Sequence, residues 1–494
     1  MKTKSVITLT HILTLCSLFS LILSSGIVYA SATIYIRPDG SVDPPTAPIQ
    51  RSGNLYLFTA DIYDSIAIQK DNVVVDGNGY KLQGTGSGYG FFIENQHNVT
   101  IIGANVTGFN TGVYIFLSGP VYVKISSLSN NQEGIVAVDS SNCTLTGNAL
   151  SYNSGSAIQL YSGVVGSLLN GNSIEYNHIG VEAISMLGIY DNDIVENTIA
   201  HNDIGLSFDN SPLSVNDNLI YHNNFIENTQ QTNIIPALPG NYPPNNWDNG
   251  YPSGGNSWSD YTGTDLYSGP NQDVPGSDGI GDTPYTIAPN NIDNYPIMTP
   301  YGVTQYLALR ITATIGGATN PPAGTHIYIQ NAVANVEAIA ENSHFLDHWE
   351  LDGTNAGTTN PISVTMDNNH GLHAVFRAKP DIAVTSVSPH PTNVRRGQPV
   401  YIDVGIQNQG VLTETFDVIV YADKDRTVIG DEIIIGVHTV YNLPAGGTKT
   451  ESLTWDTTGQ TTGTYYISAK AATPNDIDPV DNQLTAKRKV TIKR

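Results

Sequence analysis

The sequence predicts an all-β protein whose largest part is a right-handed parallel β-helix, and three observations carry that prediction. Val99, Val121, Cys143, Val165 and Leu187 follow one another at 22-residue intervals, and Ile101, Val123, Leu145, Ser167 and Ile189 repeat the interval two positions later. Nine of those ten side chains are apolar. An i, i+2 pair lies on one face of a strand, while Thr100 and Tyr122 between them point the other way. A second marker runs through Gly90, Gly112, Gly134, Gly155, Gly180 and Gly205, with Asn131, Asn153, Asn177 and Asn202 two or three residues ahead of the last four glycines. Finally, only 13% of the 494 residues are charged, against 47 Gly and 27 Tyr. Such a composition suits short strands and turns better than long solvated helices.

A unit of this length is too short for a four-stranded propeller blade, and it lacks the frame of leucine-rich repeats. It fits one coil of a β-helix, in which matching positions of successive coils form vertical columns. The apolar columns are expected inside. The asparagines are expected at corners, bonding their neighbours and taking the left-handed conformation that Asn tolerates. Cys143 then reads as an inward core residue, because it stands in a column of valines and a leucine. His201 and His222 begin similar His-Asn pairs 21 residues apart. They could stack on successive coils, where paired imidazoles would suit copper or zinc, but exposed ladder histidines are the reading adopted for them.

Residues 1–30 read as a secretory signal: Lys2 and Lys4 precede an apolar stretch that ends in Val28-Tyr-Ala30. No second apolar run of spanning length follows. The mature chain is therefore expected to be secreted or held at the cell surface, with no membrane span. Cleavage leaves Cys143 as the one cysteine, so packing, hydrogen-bond ladders or ions must supply what disulfides supply elsewhere. A formal charge of −23 repels phosphate backbones and anionic lipid and argues against nucleic-acid partners. Asn98, Asn105 and Asn142 each open an acceptor sequon for N-linked sugar.

Thr33-Ile-Tyr-Ile-Arg-Pro-Asp-Gly40, Asn72-Val-Val-Val-Asp-Gly77, the coils, and Ile220-Tyr-His-Asn-Asn-Phe-Ile-Glu-Asn228 resemble NosD-type secreted right-handed β-helix proteins. Gly255-Asn-Ser-Trp-Ser-Asp-Tyr261, Ser277-Asp-Gly-Ile-Gly-Asp-Thr-Pro-Tyr285 and Asn291-Ile-Asp-Asn-Tyr-Pro296 resemble the segment that closes that fold. The resemblance covers residues 33–302 and implies a copper association through the family's namesake. Residues 303–378 alternate as strands, and His344-Phe-Leu-Asp-His-Trp-Glu350 with His373-Ala-Val-Phe376 resembles the B-repeat modules of secreted proteins. His344 and His348 mimic a metal pair, but strand packing is the reading adopted for them. In residues 379–494, Asn408-Gln-Gly410, Trp455-Asp456 and Asp478-Pro-Val-Asp-Asn482 resemble CARDB, an immunoglobulin-like module associated with adhesion. Its Asp cluster is either solvated or holds an ion.

Two functional readings compete. Between Lys124 and Arg310 there is no Lys or Arg, against 18 Asp or Glu. Lyases on uronate polymers need positive charge to hold the carboxylate and the carbanion, so that class is disfavoured. A glycosidase needs two carboxylates facing one groove. Glu133, Asp139, Glu175, Glu182, Asp203 and Asp209 fall at different offsets from their coils' glycines, which argues against it. The expectation is a non-catalytic, exported binding or adhesion protein for glycan or a surface protein; a glycosidase or epimerase, or copper handling, is the alternative. Trp258 and Tyr261 are the candidate sugar-stacking rings, although burial as a plug competes for them. Asp273, Asp278 and Asp282, set around Gly279 and Gly281, offer the oxygen donors calcium takes, against capped turns as the alternative.

Overall fold

The computed structural model describes residues 33–302, 305–425 and 432–494, so the leader lies outside the described residues. Strands, bridges, turns and bends account for all regular structure among them, with no helix. Two compact units are formed. One comprises the described residues up to Arg310 with Gly324–Ala334 and Thr365–His370, and the other Ile311–Ala323, Asn335–Val364 and Gly371–Arg494. This division cuts across the expected 303–378 module, because Gly324–Ala334 belongs with the β-helix. The backbone N–H and hydroxyl of Thr325 donate to the two carboxylate oxygens of Asp76, at 2.7 and 2.8 Å.

The first unit is a parallel β-helix of three sheets with ten, nine and eight strands. Ile101, Val123, Leu145, Leu169, Ile194 and Ile220 pair in succession, at intervals of 22, 22, 24, 25 and 26 residues. Each is at most 1% exposed. The expected columns therefore hold for the first three coils, where Val99, Val121 and Cys143 are stacked and buried. They then slip. Val165 is half-buried beside Ser141, Leu187 is 67% exposed, and Ser167 occupies the position above Cys143. A lengthening coil moves a fixed 22-residue count off the column, so that Val165 falls two residues before Ser167 and Leu187 five before Asn192, in the bend that leads to the strand.

The glycine column also differs from expectation in one place. Ala157, and not Gly155, pairs with Gly134 and Gly180, because residues 153–156 contain one residue more than the matching corners of the coils on either side. The remaining glycines mark a close approach: a Cβ on Gly180 would lie 2.4 Å from the carbonyl oxygen of Gly205.

The corners are held by buried asparagines in three columns. In one, the backbone N–H of each of Asn148, Asn172, Asn197 and Asn223 donates to the side-chain Oδ1 of the ladder residue above it, ending at Asn256. Each Nδ2 donates to backbone carbonyls and to the next Oδ1, as Asn197 does to Leu169, Val195 and Asn223. Asn131, Asn153, Asn177, Asn202 and Asn228 form a second column, and Asn192, Asn218 and Asn245 a third. The left-handed residue is the one before the ladder asparagine in the coils below the closing segment. Tyr152, Tyr176, His201 and Glu227 have φ of 55°, 58°, 56° and 49°. The backbone turns there, and the next side chain swings inward.

The second unit contains an antiparallel sheet of 344–351, 354–357 and 371–378 and a β-sandwich. In the sandwich, strands 382–390, 400–408 and 448–455 face a sheet built on 414–423 and 463–472 across a core that includes Val404, Val418, Trp455 and Ile467.

Asn197→Ala would orphan the buried Asn172 N–H and the Leu169 carbonyl at once. At roughly 1–3 kcal/mol per unsatisfied group, we expect a loss of about 3 kcal/mol or more, read as a lower urea midpoint of the β-helix transition. A variant within 0.5 kcal/mol of wild type, about the scatter of neutral surface changes, would remove the ladder from the stability argument.

Candidate functional site

The closing segment is built on the ladders. Asn291 Oδ1 accepts from the Asn245 N–H at 3.1 Å and from Trp247 Nε1 at 3.0 Å. Asp293 Oδ2 accepts from the Asn256 N–H at 2.8 Å and from Trp258 Nε1 at 2.9 Å. Two residues apart on one strand, they terminate two columns in the same way. Their second atoms explain the different residue types. Asn291 Nδ2 faces acceptors, the carbonyls of Pro243 and Pro289, whereas Asp293 Oδ1 faces a donor, the Tyr295 N–H. Burial pushes the Asp293 carboxyl up to about 7, against those three N–H donors.

Trp258 therefore does not serve as a sugar platform. Its faces are covered by Phe225 and Tyr285, with ring centroids 4.3 Å away on each side, and it is 4% exposed. Tyr261 is half-buried. Its hydroxyl donates to the Thr283 carbonyl at 2.7 Å, and its ring fills the space that a Cβ on Gly263 or Gly281 would need. The calcium expectation for Asp273, Asp278 and Asp282 is also corrected, since the three do not converge. Asp282 accepts from the Leu266 and Tyr267 N–H groups and Asp278 from those of Gly269 and Ile280, so both carboxylates cap turns. Asp273 is exposed.

The histidine expectations change too. His201 stacks on Tyr176 at 5.0 Å, while His222 stacks on Tyr301 at 3.9 Å and contacts the Ser253 carbonyl through Nε2. They precede Asn202 and Asn223, which belong to different columns, so they do not stack on each other. His348 pairs with Asp347 at 2.8 Å and His344 with Ser343 at 3.0 Å, separate environments that match packing. Cys143 is buried, and burial pushes its thiol up to about 11. Among the sequons, Asn98 and Asn142 are exposed left-handed corners, while Asn105 lies half-buried within strand Asn105–Thr107.

Sequence reasoning missed the outer face of the ten-stranded sheet. On strands Tyr89–Glu94 and Thr111–Phe116, Phe91, Ile93, Val113 and Ile115 point inward. Tyr89, Phe92, Tyr114 and Phe116 point outward and are half-buried. Tyr114 is the centre of this group, 4.7 Å from Tyr89, 5.9 Å from Phe92 and 6.5 Å from Phe116. Burial, reinforced by Tyr89 and the charges of Asp139 and Glu94, pushes its hydroxyl up to about 12.

On the same face, two carboxylates meet at one serine. The Ser156 N–H donates to Glu133 Oε2 at 2.5 Å, and Ser156 Oγ and Gln159 Nε2 donate to Glu182 Oε2 at 2.6 and 2.8 Å. The extra residue at 153–156 makes this possible. A Cβ on Gly155 would lie 2.2 Å from Glu133 Oε1, so the glycine leaves the notch in which that carboxylate rests. Burial pushes the Glu133 carboxyl above its usual range and Glu182 adds to the shift, while the Ser156 N–H opposes it.

In the sandwich, Asp381, Asp476 and Asp481 each place a carboxylate oxygen within 4.8 Å of the other two. Burial raises the Asp381 carboxyl, followed by the charges of Asp476 and Asp478; burial likewise raises Asp481, followed by Asp478 and Asp381.

Comparison with known proteins accords with this architecture. Residues 55–263 match the family described as periplasmic copper-binding protein (NosD), and residues 379–483 match CARDB. The first region is a NosD-type β-helix and the second a CARDB domain. No curated protein matches the chain. A CARDB domain from Pyrococcus furiosus, solved in complex with di-metal ions, is 20% identical over 23% of this chain and 94% of its own, with a TM-score of 0.19. The enzymatically active domain of tailspike protein 2 of bacteriophage CBA120 is 12% identical over 89% of this chain and 68% of its own, with a TM-score of 0.28. The major pilin subunit of Bacillus cereus is 8% identical over 38% and 68%, with a TM-score of 0.15. Among the described residues, no helix is long and apolar enough to cross a membrane.

Among the described residues of the NosD-type β-helix, no His or Cys cluster comes together to suit copper. Copper favours nitrogen and sulfur ligands, but His201 and His222 stand on different columns and the Cys143 thiol is buried and protonated. The carboxylate trio of the CARDB domain offers oxygen, which suits calcium or magnesium.

The buried Asp293 sets a pH dependence. Below the ordinary value of 3.8 both folded and unfolded chains hold this proton, and between there and about 7 only the folded chain does. Stability from this group is thus present in acid, is lost as pH rises through about 7, and is flat beyond. The difference in unfolding free energy between wild type and Asp293→Asn should change with pH across that window; a constant difference from pH 4 to pH 8, a span bracketing the titration, would contradict the assignment.

Proposed function

We propose that the protein is an exported, non-catalytic glycan-binding protein that presents the outer face of the ten-stranded sheet to an extracellular polysaccharide. The observation that carries this reading is the outward group of Tyr89, Phe92, Tyr114 and Phe116, continuous with the polar set of Glu133, Ser156, Gln159 and Glu182. Sugar rings have apolar CH faces that pack on aromatic side chains, and their hydroxyls need side-chain partners of this polar kind. The NosD family description as periplasmic supports export. The CARDB domain supplies a second binding module, and its carboxylate trio is the place we assign to a calcium ion.

Titration calorimetry on a panel of oligosaccharides should give binding that Tyr114→Ala weakens about tenfold or more, the scale of an aromatic contact with its buried area. Unchanged affinity in that variant would remove the face from the reading. The juxtaposition of Glu133 and Glu182 favours a second reading, hydrolysis, with the raised Glu133 carboxyl as the acid. Release of reducing ends from a bound oligosaccharide would replace the non-catalytic reading with that one.

The calcium assignment has its own measurement. Added Ca²⁺ should raise the unfolding midpoint of the sandwich in wild type and leave Asp481→Asn unmoved, because a ligand that binds only the folded state stabilises it. Equal shifts in the two proteins would place the ion elsewhere.

A further inference from the structure

The charge around the glycan-binding face identifies the chemistry of its occupant, an inference that rests on the glycan reading above. No Lys or Arg stands on the seven successive strands of this sheet from Tyr89–Glu94 to Gln230–Ile235. Carboxylates lie across the same surface: Glu94 at the aromatic end, Glu133 and Glu182 at its centre, Asp139 at the strand end, and Asp209 beyond. His178 stands at the edge and is paired with Asp203 at 2.8 Å.

The hydrogen bonds of Ser156 and Gln159 end on Oε2 of Glu133 and Glu182, and the protein brings no Lys or Arg from these strands to either carboxylate. Charged carboxylates with spare acceptor capacity attract donors that bring positive charge, since charge-assisted hydrogen bonds are about twice as strong as neutral ones. A uronate or sulfated polymer would place like charge against them at a cost, with no Lys or Arg on these seven strands to offset it.

We propose that this face takes a polysaccharide bearing free amines, a hexosamine polymer whose ring faces pack on Tyr114 and its neighbours while its ammonium groups reach the Oε1 atoms of Glu133 and Glu182. The aromatic group favours a sugar chain over a basic peptide, because CH-bearing ring faces are the surfaces that complement it. The carboxylates then select among sugars by charge. The extra residue at Gly155 is the local device, since it leaves the notch in which the Glu133 carboxylate rests.

The test is calorimetry of the full mature chain with glucosamine hexamer, its fully N-acetylated counterpart, a galacturonic acid oligomer of equal length and oligolysine of matched charge, at two salt concentrations. The free-amine hexamer should bind roughly tenfold or more tightly than the acetylated one, the worth of one charge-assisted hydrogen bond, and should lose that advantage at high salt. Glu182→Gln should cut the ratio of free-amine to acetylated affinity towards one; should that variant fold poorly, the salt titration on wild type decides alone. Equal affinity for the two hexamers overturns the amine assignment and leaves the glycan reading in place. Binding of no sugar overturns both. Oligolysine bound as tightly as the free-amine hexamer overturns the proposal in favour of a basic peptide.

Discussion

The fold depends on a hydrogen bond that crosses from one coil to the next, from the backbone N–H of a ladder asparagine to the Oδ1 of the asparagine above it. A β-helix must turn its chain at every coil, and each turn takes backbone groups out of the sheet and into a dry interior. An unsatisfied buried N–H costs about 1–3 kcal/mol, so a stack of coils with bare corners would not be stable. The asparagine amide resolves this with both of its atoms: Oδ1 accepts from the coil below, and Nδ2 donates to a carbonyl of that coil and to the next Oδ1. No other side chain of that length carries one acceptor and two donors. A valine in the same place would fill the volume and leave the backbone unpaired.

From that constraint follow the features at the two ends of the columns. The lower coils satisfy the matching N–H groups with serines, Ser126 toward Ala104 and Ser167 toward Cys143. At the upper end a ladder needs a last acceptor, and Asn291 and Asp293 supply it for two columns while anchoring the indoles of Trp247 and Trp258. The closing segment is conserved in logic across its two halves: one acceptor atom takes a backbone N–H and an indole N–H together. Burying a carboxylate there raises its pKa, and the protein carries that pH sensitivity because the neighbouring group at Oδ1 is a donor.

Much of this was legible in the residues. The i, i+2 apolar pairs, the glycines and the asparagines specified a stack of short parallel strands, because inward columns require like residues at like positions. The numbering of the columns was legible only while the coil length stayed constant. From Leu145 onward the coils grow, and a count of 22 carried Val165 and Leu187 outward while Leu169 and Ile194 took the interior. The outer face was hidden for another reason: Glu133 lies one residue before Gly134 and Glu182 two after Gly180, and these different offsets are bridged only by Ser156 on the coil between them. The pairing of His201 with His222 failed for a related reason: three corners per coil carry similar Asn-containing sequences, and spacing alone does not say which corner a pair occupies.

The one-residue insertion at 153–156 is where fold and function meet. A bulge in a ladder costs paired hydrogen bonds, and it persists where it re-aims a side chain. Here the coils on either side keep the shorter corner, so the insertion answers no need of the stacking itself. Its effect is on the outside: Gly155 opens the notch, Glu133 lies in it, and the Ser156 N–H and hydroxyl join that carboxylate to Glu182 two coils of strand apart in pairing. A purely structural reading leaves the cost unexplained, because burial, to which the like charge of Glu182 adds, raises the Glu133 carboxyl above its ordinary range. The cationic ligand proposed for that point would relieve the repulsion between the two carboxylates.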